Sequence, residues 1–264
     1  MKRKSHAMIL SAALAAAAVP SAKAAVLISD SFSYADGALE TVSGGVWEIN
    51  SGTGSKLVSS GKLVIDDNNT SDYQRQFNAG ATATTVYASF KANFSSTDPP
   101  SSVGSYFAAL AGPKSGTSFS TAFRARVGTF VAGTEGAGKF TLGISSGGNA
   151  VNIATDFTYW PTALSFDTEY TIAIEYDATS PGTNKLWVNP TAESDPSITF
   201  NGGSGTTLGS FLWRVNSSSI DGDKTVDDLN VGTTFGDVIA VPEPTVAGLA
   251  AAAGVAAMLK RRKR

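Results

Sequence analysis

The chain has 264 residues, of which 42% are hydrophobic, with no cysteine, one histidine and a formal net charge of −2. The absence of cysteine excludes disulfide cross-links and thiolate chemistry. The near-neutral total hides a segregation, because nine of the 20 basic residues lie in the two ends and the stretch from Ala25 to Ala240 holds 11 bases against 21 acids. Such an acidic body disfavours nucleic acid as a partner, since phosphate backbones need a basic counter-surface.

The chain opens with Lys2-Arg3-Lys4, an apolar run from Ala7 to Val19, the helix breaker Pro20, and small residues at Ala22 and Ala24. This is the pattern of a secretory signal peptide over residues 1–24, read by a signal peptidase and the export machinery, with cleavage between Ala24 and Ala25. The alternative, an uncleaved anchor helix, is disfavoured because the run is short for a span and a cleavage site follows it. His6, the only histidine, lies within this segment. The processed protein would therefore lack the groups used by Ser-His-Asp triads, Cys-His dyads and zinc sites.

From Ala25 onward, alternating β-branched and aromatic runs separated by turn residues predict strands. The predicted strands are Lys62–Asp66, Thr85–Phe94, Phe119–Val131, Lys139–Ile144, Tyr170–Tyr176, Lys185–Val188 and Ser210–Val215. Asp98-Pro99-Pro100, Ser180-Pro181-Gly182 and Asn201-Gly202-Gly203 mark the turns between them. The expectation is one all-β domain over residues 25–238, a two-sheet antiparallel sandwich. Three segments carry a resemblance. The opening Asp30-Ser31-Phe32-Ser33-Tyr34-Ala35-Asp36-Gly37-Ala38-Leu39, the strand pair in Tyr170–Pro190, and the closing Asp227–Val238 are similar to exported bacterial jelly rolls of the laminin-G/concanavalin type. The resemblance implies that the first and last strands pair.

Candidate chemistry on this body is sparse. A retaining glycosidase needs two carboxylates about 5 Å apart, and the Glu-x-Asp-x-x-Glu pattern of laminarinase-like enzymes is missing. Glu169, Glu175 and Asp177 read as solvent-facing acids. No cofactor is expected and no metal ligand set is assigned, although the acidic turns at Asp66-Asp67-Asn68-Asn69 and Asp221-Gly222-Asp223, or a meeting of Asp30 with Asp228, could hold a structural calcium. Of the four tryptophans, Trp187 and Trp213 read as core, and Trp160, between Tyr159 and Pro161, is the candidate for ligand contact.

The chain closes with Val241-Pro242-Glu243-Pro244, an apolar stretch from Thr245 to Leu259, and Lys260-Arg261-Arg262-Lys263-Arg264. The prolines keep the tetrapeptide extended, and the five bases favour the cytoplasmic side of a membrane crossed by the apolar helix. This order, over residues 239–264, resembles the PEP-CTERM sorting signal of Gram-negative bacteria. The resemblance implies a transient membrane anchor, recognition and cutting near the Pro-Glu-Pro by an exosortase, and delivery to the cell surface or extracellular matrix; a plain C-terminal anchor is the alternative. The sequence reading is thus an exported, non-catalytic surface or matrix protein that interacts with glycans or proteins, with polysaccharide as a candidate partner. Its alternatives are a carboxylate-dependent glycan-cleaving enzyme on a concanavalin-like fold, or a passive structural protein.

Overall fold

The computed structural model describes residues 25–100, 105–131, 138–146, 156–179, 182–202, 205–215 and 222–240. The segments 1–24 and 241–264, with the signal-peptide and sorting-signal expectations except Ala25, lie outside the described residues. Among the described residues no helix is long and apolar enough to cross a membrane.

Two antiparallel sheets face each other. The back sheet contains β1 (Val26–Asp30), β2 (Gly37–Ala38), β4 (Leu57–Ser59), β5 (Lys62–Ile65), β7 (Thr85–Phe94), β13 (Glu169–Asp177), β14 (Thr183–Val188), β15 (Ile198–Asn201) and β17 (Lys224–Gly232). Its order is β15-β14-β13-β7-β17-β5-β4-β2. The front sheet contains β3 (Glu48–Ser51), β6 (Asp72–Gln76), β8 (Ser105–Ala111), β9 (Phe123–Val131), β10 (Lys139–Ser145), β11 (Thr158–Tyr159), β12 (Leu164–Ser165) and β16 (Ser210–Trp213). Its order is β11-β10-β9-β8-β16-β6-β3, with β12 also paired to β10.

The terminal strands pair as expected, Asp30 opposite Leu229 and Val26 opposite Gly232. β17 serves two neighbours on one side, β5 along Lys224–Val226 and then β1 along Leu229–Gly232. The hand-over falls where its register against β7 shifts, between Asp227 and Asn230, and Asp228 there takes a φ of 49°. Such an irregularity bends a strand and ends one pairing so that another can begin.

The core between the sheets is aromatic. Trp213 meets Phe90 at 5.0 Å, Phe211 at 4.8 Å, and Trp47 and Phe107 at longer range. The opening motif builds one wall of this core. Asp30 is buried and receives hydrogen bonds from Trp47 Nε1 (2.8 Å), Tyr34 Oη (2.9 Å) and the Phe32 backbone N–H (2.9 Å), with Arg75 paired to it at 2.6 Å. A buried carboxylate is tolerated only when its lone pairs are filled in this way. Asp30 therefore serves as a structural hub and does not meet Asp228, which pairs with Lys91 at 2.8 Å.

The closing motif has a similar explanation. After β17 the chain forms a short helix, α2 (Phe235–Val238), following an earlier one, α1 (Leu39–Val42). Asp237 Oδ2 accepts hydrogen bonds from the backbone N–H groups of Thr233 and Thr234 at 3.0 and 2.8 Å. A Cβ at Gly232 would lie 2.3 Å from Asp237 Cβ, so only glycine admits this cap. Phe235 then packs edge-on against Trp187 and Tyr87, covering the outer face of the back sheet.

Observed strands differ from the sequence expectation in informative places. The expected strand from Phe119 begins at Phe123, because Ser115 and Ser118 close a small bridge and Phe119 lies under the Lys114 ammonium. β8 and β6 were not foreseen. β8 reads Ser-Tyr-Phe-Ala-Ala-Leu-Ala and is buried at every position, so it shows no alternation to detect. β6 reads Asp-Tyr-Gln-Arg-Gln, and its polar composition hides a strand in the front sheet.

Candidate functional site

The outer face of the front sheet carries a cluster centred on Tyr106. On β9, Val127 points into the inter-sheet core, whereas Phe130 belongs to a separate outer cluster with Tyr106, Ala109, Phe157 and Leu212. Period-two alternation puts Arg126 and Gly128 on that same outer face. At Ala125 the strand deviates: its φ is 46°, the β8–β9 register is shifted nearby, and its N–H is donated to Asn184 Oδ1 (3.0 Å) across the sandwich. Asn184 is fully buried and also donates to Phe200 O, so the irregularity is pinned by the other sheet. The bulge sets the position of Arg126 beside Tyr106.

Two guanidinium groups lie against the Tyr106 ring, Arg214 at 4.4 Å and Arg126 at 5.0 Å from its centroid. Arg126 is 2% exposed and also lies 5.8 Å from the Phe123 ring. Arg214, which follows β16, is more open and is paired with Asp72 (Nε to Oδ2, 3.6 Å). Asp72 also accepts from Ser51 Oγ and the Val215 N–H. Burial raises the Asp72 carboxyl above its ordinary range, opposed by Arg214 and these hydrogen bonds. Next to it, Gln74 and Ser210 form a fully buried hydrogen-bonded pair, with Asn50 donating to Gln74 Oε1.

Burial lowers the pKa of Arg126, and the nearby positive charges of Arg214 and Arg124 lower it further, against the pull of Tyr106 and Asp156. An arginine stays protonated at any physiological pH, so this desolvation and repulsion act on a charged guanidinium.

The sequence-predicted residues are placed as follows. Trp160, just after β11, is half-buried and packs against the core; its backbone N–H donates to Leu142 O and its carbonyl accepts from Thr141 Oγ1. Trp47, Trp187 and Trp213 are fully buried. Glu175 is not solvent-facing: it is 6% exposed, paired with Lys185 at 2.7 Å and hydrogen-bonded by Tyr87. Glu169 is exposed and paired with Lys62. Ala25 lies at the exposed start of the described chain.

Asp223 of the second acidic turn, whose Asp221 lies outside the described residues, comes close to Asp67 of the first. Asp67, Asp98 and Asp223 each present a carboxylate oxygen within 4.8 Å of the others, and Asp223 Oδ1 is buried without a hydrogen-bond partner. The Asp223 carboxyl is raised above its ordinary range, first by burial and then by Asp98, Asp66 and Asp67. An all-oxygen donor set of this kind suits a hard divalent cation.

No family model and no curated protein matches this sequence. Solved structures do match the fold. The PL-14 alginate lyase from Aplysia kurodai superposes with a TM-score of 0.53 at 12% identity, over 78% of this chain and 98% of the lyase. The alginate lyase Aly36B, as a double mutant with alginate trisaccharide, gives 0.50 at 12% identity, over 78% of this chain and 97% of that one. The endo-β-1,4-glucuronan lyase from Trichoderma reesei gives 0.44 at 11% identity, over 83% and 91%. In fold, the chain resembles polysaccharide lyases.

This finding counts against the expectation of a non-catalytic protein, because the fold is shared with alginate lyases, at an identity of 12% that makes the likeness one of fold. That expectation rested on missing histidine, cysteine and paired carboxylates, but the scaffold is one on which lyases are built. The residues that sequence reasoning missed are Tyr106, Arg126 and Arg214. They lie on three strands or their ends, far apart in the chain, and only sheet pairing brings them together.

Proposed function

We propose that the domain cleaves an acidic polysaccharide by β-elimination, with Tyr106 as the proton-transferring group and Arg126 and Arg214 binding the substrate carboxylate. The observation that carries this reading is the placement of two guanidinium groups against one tyrosine ring of the front sheet, Arg214 at 4.4 Å and Arg126 at 5.0 Å from the Tyr106 centroid. A uronate carboxylate held by the arginines makes the adjacent C–H more acidic, because negative charge arising on deprotonation spreads onto that carboxylate. Tyr106 as phenolate takes this proton, the electron pair forms a carbon–carbon double bond, and the glycosidic oxygen one carbon further leaves with a proton returned by the phenol. No water, oxidant or metal enters the balance.

The carboxylate-pair alternative finds less support here. Asp72 is committed to Arg214, Ser51 and the Val215 backbone, whereas a retaining hydrolase needs a second free carboxyl about 5 Å away. The finer fold assignment, a concanavalin/laminin-G-like jelly roll, is part of this reading and is supported by the pairing of the first and last strands. A structural calcium at Asp67, Asp98 and Asp223 also belongs to it. So does the route outward: export through a signal peptide, exosortase sorting at Pro242-Glu243-Pro244, and residence at the cell surface or matrix, where polysaccharide is met.

The test is incubation of the purified protein with alginate and with glucuronan, following the ultraviolet absorbance of an unsaturated uronate product. Absorbance should rise with the native protein and be lost in Tyr106→Phe, while Arg214→Lys, which keeps charge but loses the planar fork, should raise KM. No unsaturated product from any acidic polysaccharide would refute the reading.

A further inference from the structure

The outer face of the back sheet, on the far side of the sandwich from Tyr106, carries an open cavity of about 330 Å³. Its floor follows from strand alternation. Phe90 and Ala92 of β7, and Tyr170 and Ile172 of β13, point into the core, so Lys91 and Thr171 point outward. Register sets Thr171 opposite Lys91, and Ser89 opposite Asn230 of β17. The irregularity in β17 brings Asp228 to the same cavity, where its carboxylate meets Lys91 Nζ at 2.8 Å. Both side chains are 44% exposed, so the pair is open to solvent.

The walls are apolar and fixed. Val238 and Ile239 form one of them, with the Val238 carbonyl accepting from Ser89 Oγ (2.6 Å) and the Ile239 N–H donating to Phe235 O (3.0 Å). Pro190 forms another. Its neighbour Asn189 is bound twice to β13, the N–H donating to Thr171 O (2.7 Å) and Oδ1 accepting from the Thr171 N–H (2.8 Å). Asn230 accepts from Ser29 Oγ (3.0 Å) and donates to Asp228 O (3.1 Å), which holds the irregular turn of β17. Asn189 and Asp228 take φ of 51° and 49°, so a left-handed backbone that most side chains avoid adjoins the cavity at two places.

We propose that this cavity binds one neutral sugar ring, at a site separate from the Tyr106 face. Small-ligand sites begin at about 300 Å³, so the volume suits a single ring and not a chain. The charges select against ions. The hydrogen bond and charge of Asp228 raise the Lys91 pKa, and Glu169 and Asp227 add to this. An anionic sugar therefore meets three acids around a cation that is already paired, and the ammonium repels a metal ion. A hydroxyl both donates and accepts, so neighbouring sugar hydroxyls bridge an ammonium and a carboxylate set side by side, with the Thr171 hydroxyl as a third polar contact. Pro190, Val238 and Ile239 receive the C–H face of the ring, and walls already fixed by hydrogen bonds lose little freedom on binding.

The test titrates the full-length protein, in a sugar-free detergent, with the methyl glycosides of glucose, galactose and mannose and with methyl glucuronide, following binding by saturation-transfer difference NMR. At least one neutral glycoside should bind, and more tightly than the glucuronide. Thr171→Val, which removes one hydroxyl from a strand that tolerates valine, should weaken that binding about fivefold. Asp228→Asn, which keeps a residue type suited to positive φ and removes the charge, should weaken it about tenfold. Cleavage of acidic polysaccharide at Tyr106 should be the same in both variants, so failure of the sugar site and failure of the lyase reading are separate results. The proposal is overturned if no neutral glycoside binds, if binding is unchanged in either variant, or if the glucuronide binds as tightly with the same sensitivity to the variants. Should Asp228→Asn not fold, Thr171→Val alone decides.

Discussion

Replacing Asp223 by asparagine should stabilise the metal-free protein. Asp223 shares a half-buried site with Asp67 and Asp98, their oxygens within 4.8 Å of one another. Two unit charges at that distance repel by about 1 kcal/mol in water and about 3 kcal/mol at the effective dielectric of a protein surface. The site is half-buried, so solvent screening favours the lower value for each neighbour, and the gain expected from Asp223→Asn is about 1–2 kcal/mol. The raised carboxyl also sets a pH dependence. A group whose folded pKa exceeds its unfolded value binds more protons when folded, so its contribution is favourable at low pH and is lost as pH rises through the folded pKa. In chelator, the native protein should therefore lose stability relative to Asp223→Asn as pH rises above the ordinary aspartate range. Calcium should reverse this, raising the native melting temperature and leaving Asp223→Asn little changed. Thermal unfolding by circular dichroism, with chelator or calcium at several pH values, reads both effects. If Asp223→Asn is less stable than the native protein in chelator at neutral pH, the repulsion argument is wrong.

Two further outcomes test other links. Asp30→Ala should cost about 3–5 kcal/mol in urea unfolding, because it leaves the Arg75 guanidinium and Trp47 Nε1 without their shared buried partner; a loss under 1 kcal/mol would remove Asp30 as the hub. In cells, the intact mass of the mature protein should begin at Ala25 and end near Pro244, and replacing Pro242, Glu243 and Pro244 by alanine should prevent the C-terminal cut. A mass still including Lys260 to Arg264 in both forms would point to a plain anchor.

Local chemistry in the sequence determined a good deal. Thr85–Phe94 reads as a strand to the residue, and the same holds within a residue or two for β10, β13 and β14, because β-branched and aromatic residues are concentrated in each run. The opening and closing motifs were also legible, since Asp30 with Phe32 and Tyr34, and Gly232 with Asp237, act over a few residues. The absence of histidine and cysteine from the region after Ala24 bounded the chemistry at once. What composition could not show was the site. Tyr106 sits in a strand buried on both faces, and its apolar run carries no periodic signal. Its partners are 20 and 108 residues away along the chain, on Arg126 and Arg214, and become neighbours only when β9 and β16 flank β8. The same reason hid the meeting of Asp67 with Asp98 and Asp223: sequence spacing records which face a residue takes, and only the tertiary fold decides which residues share it.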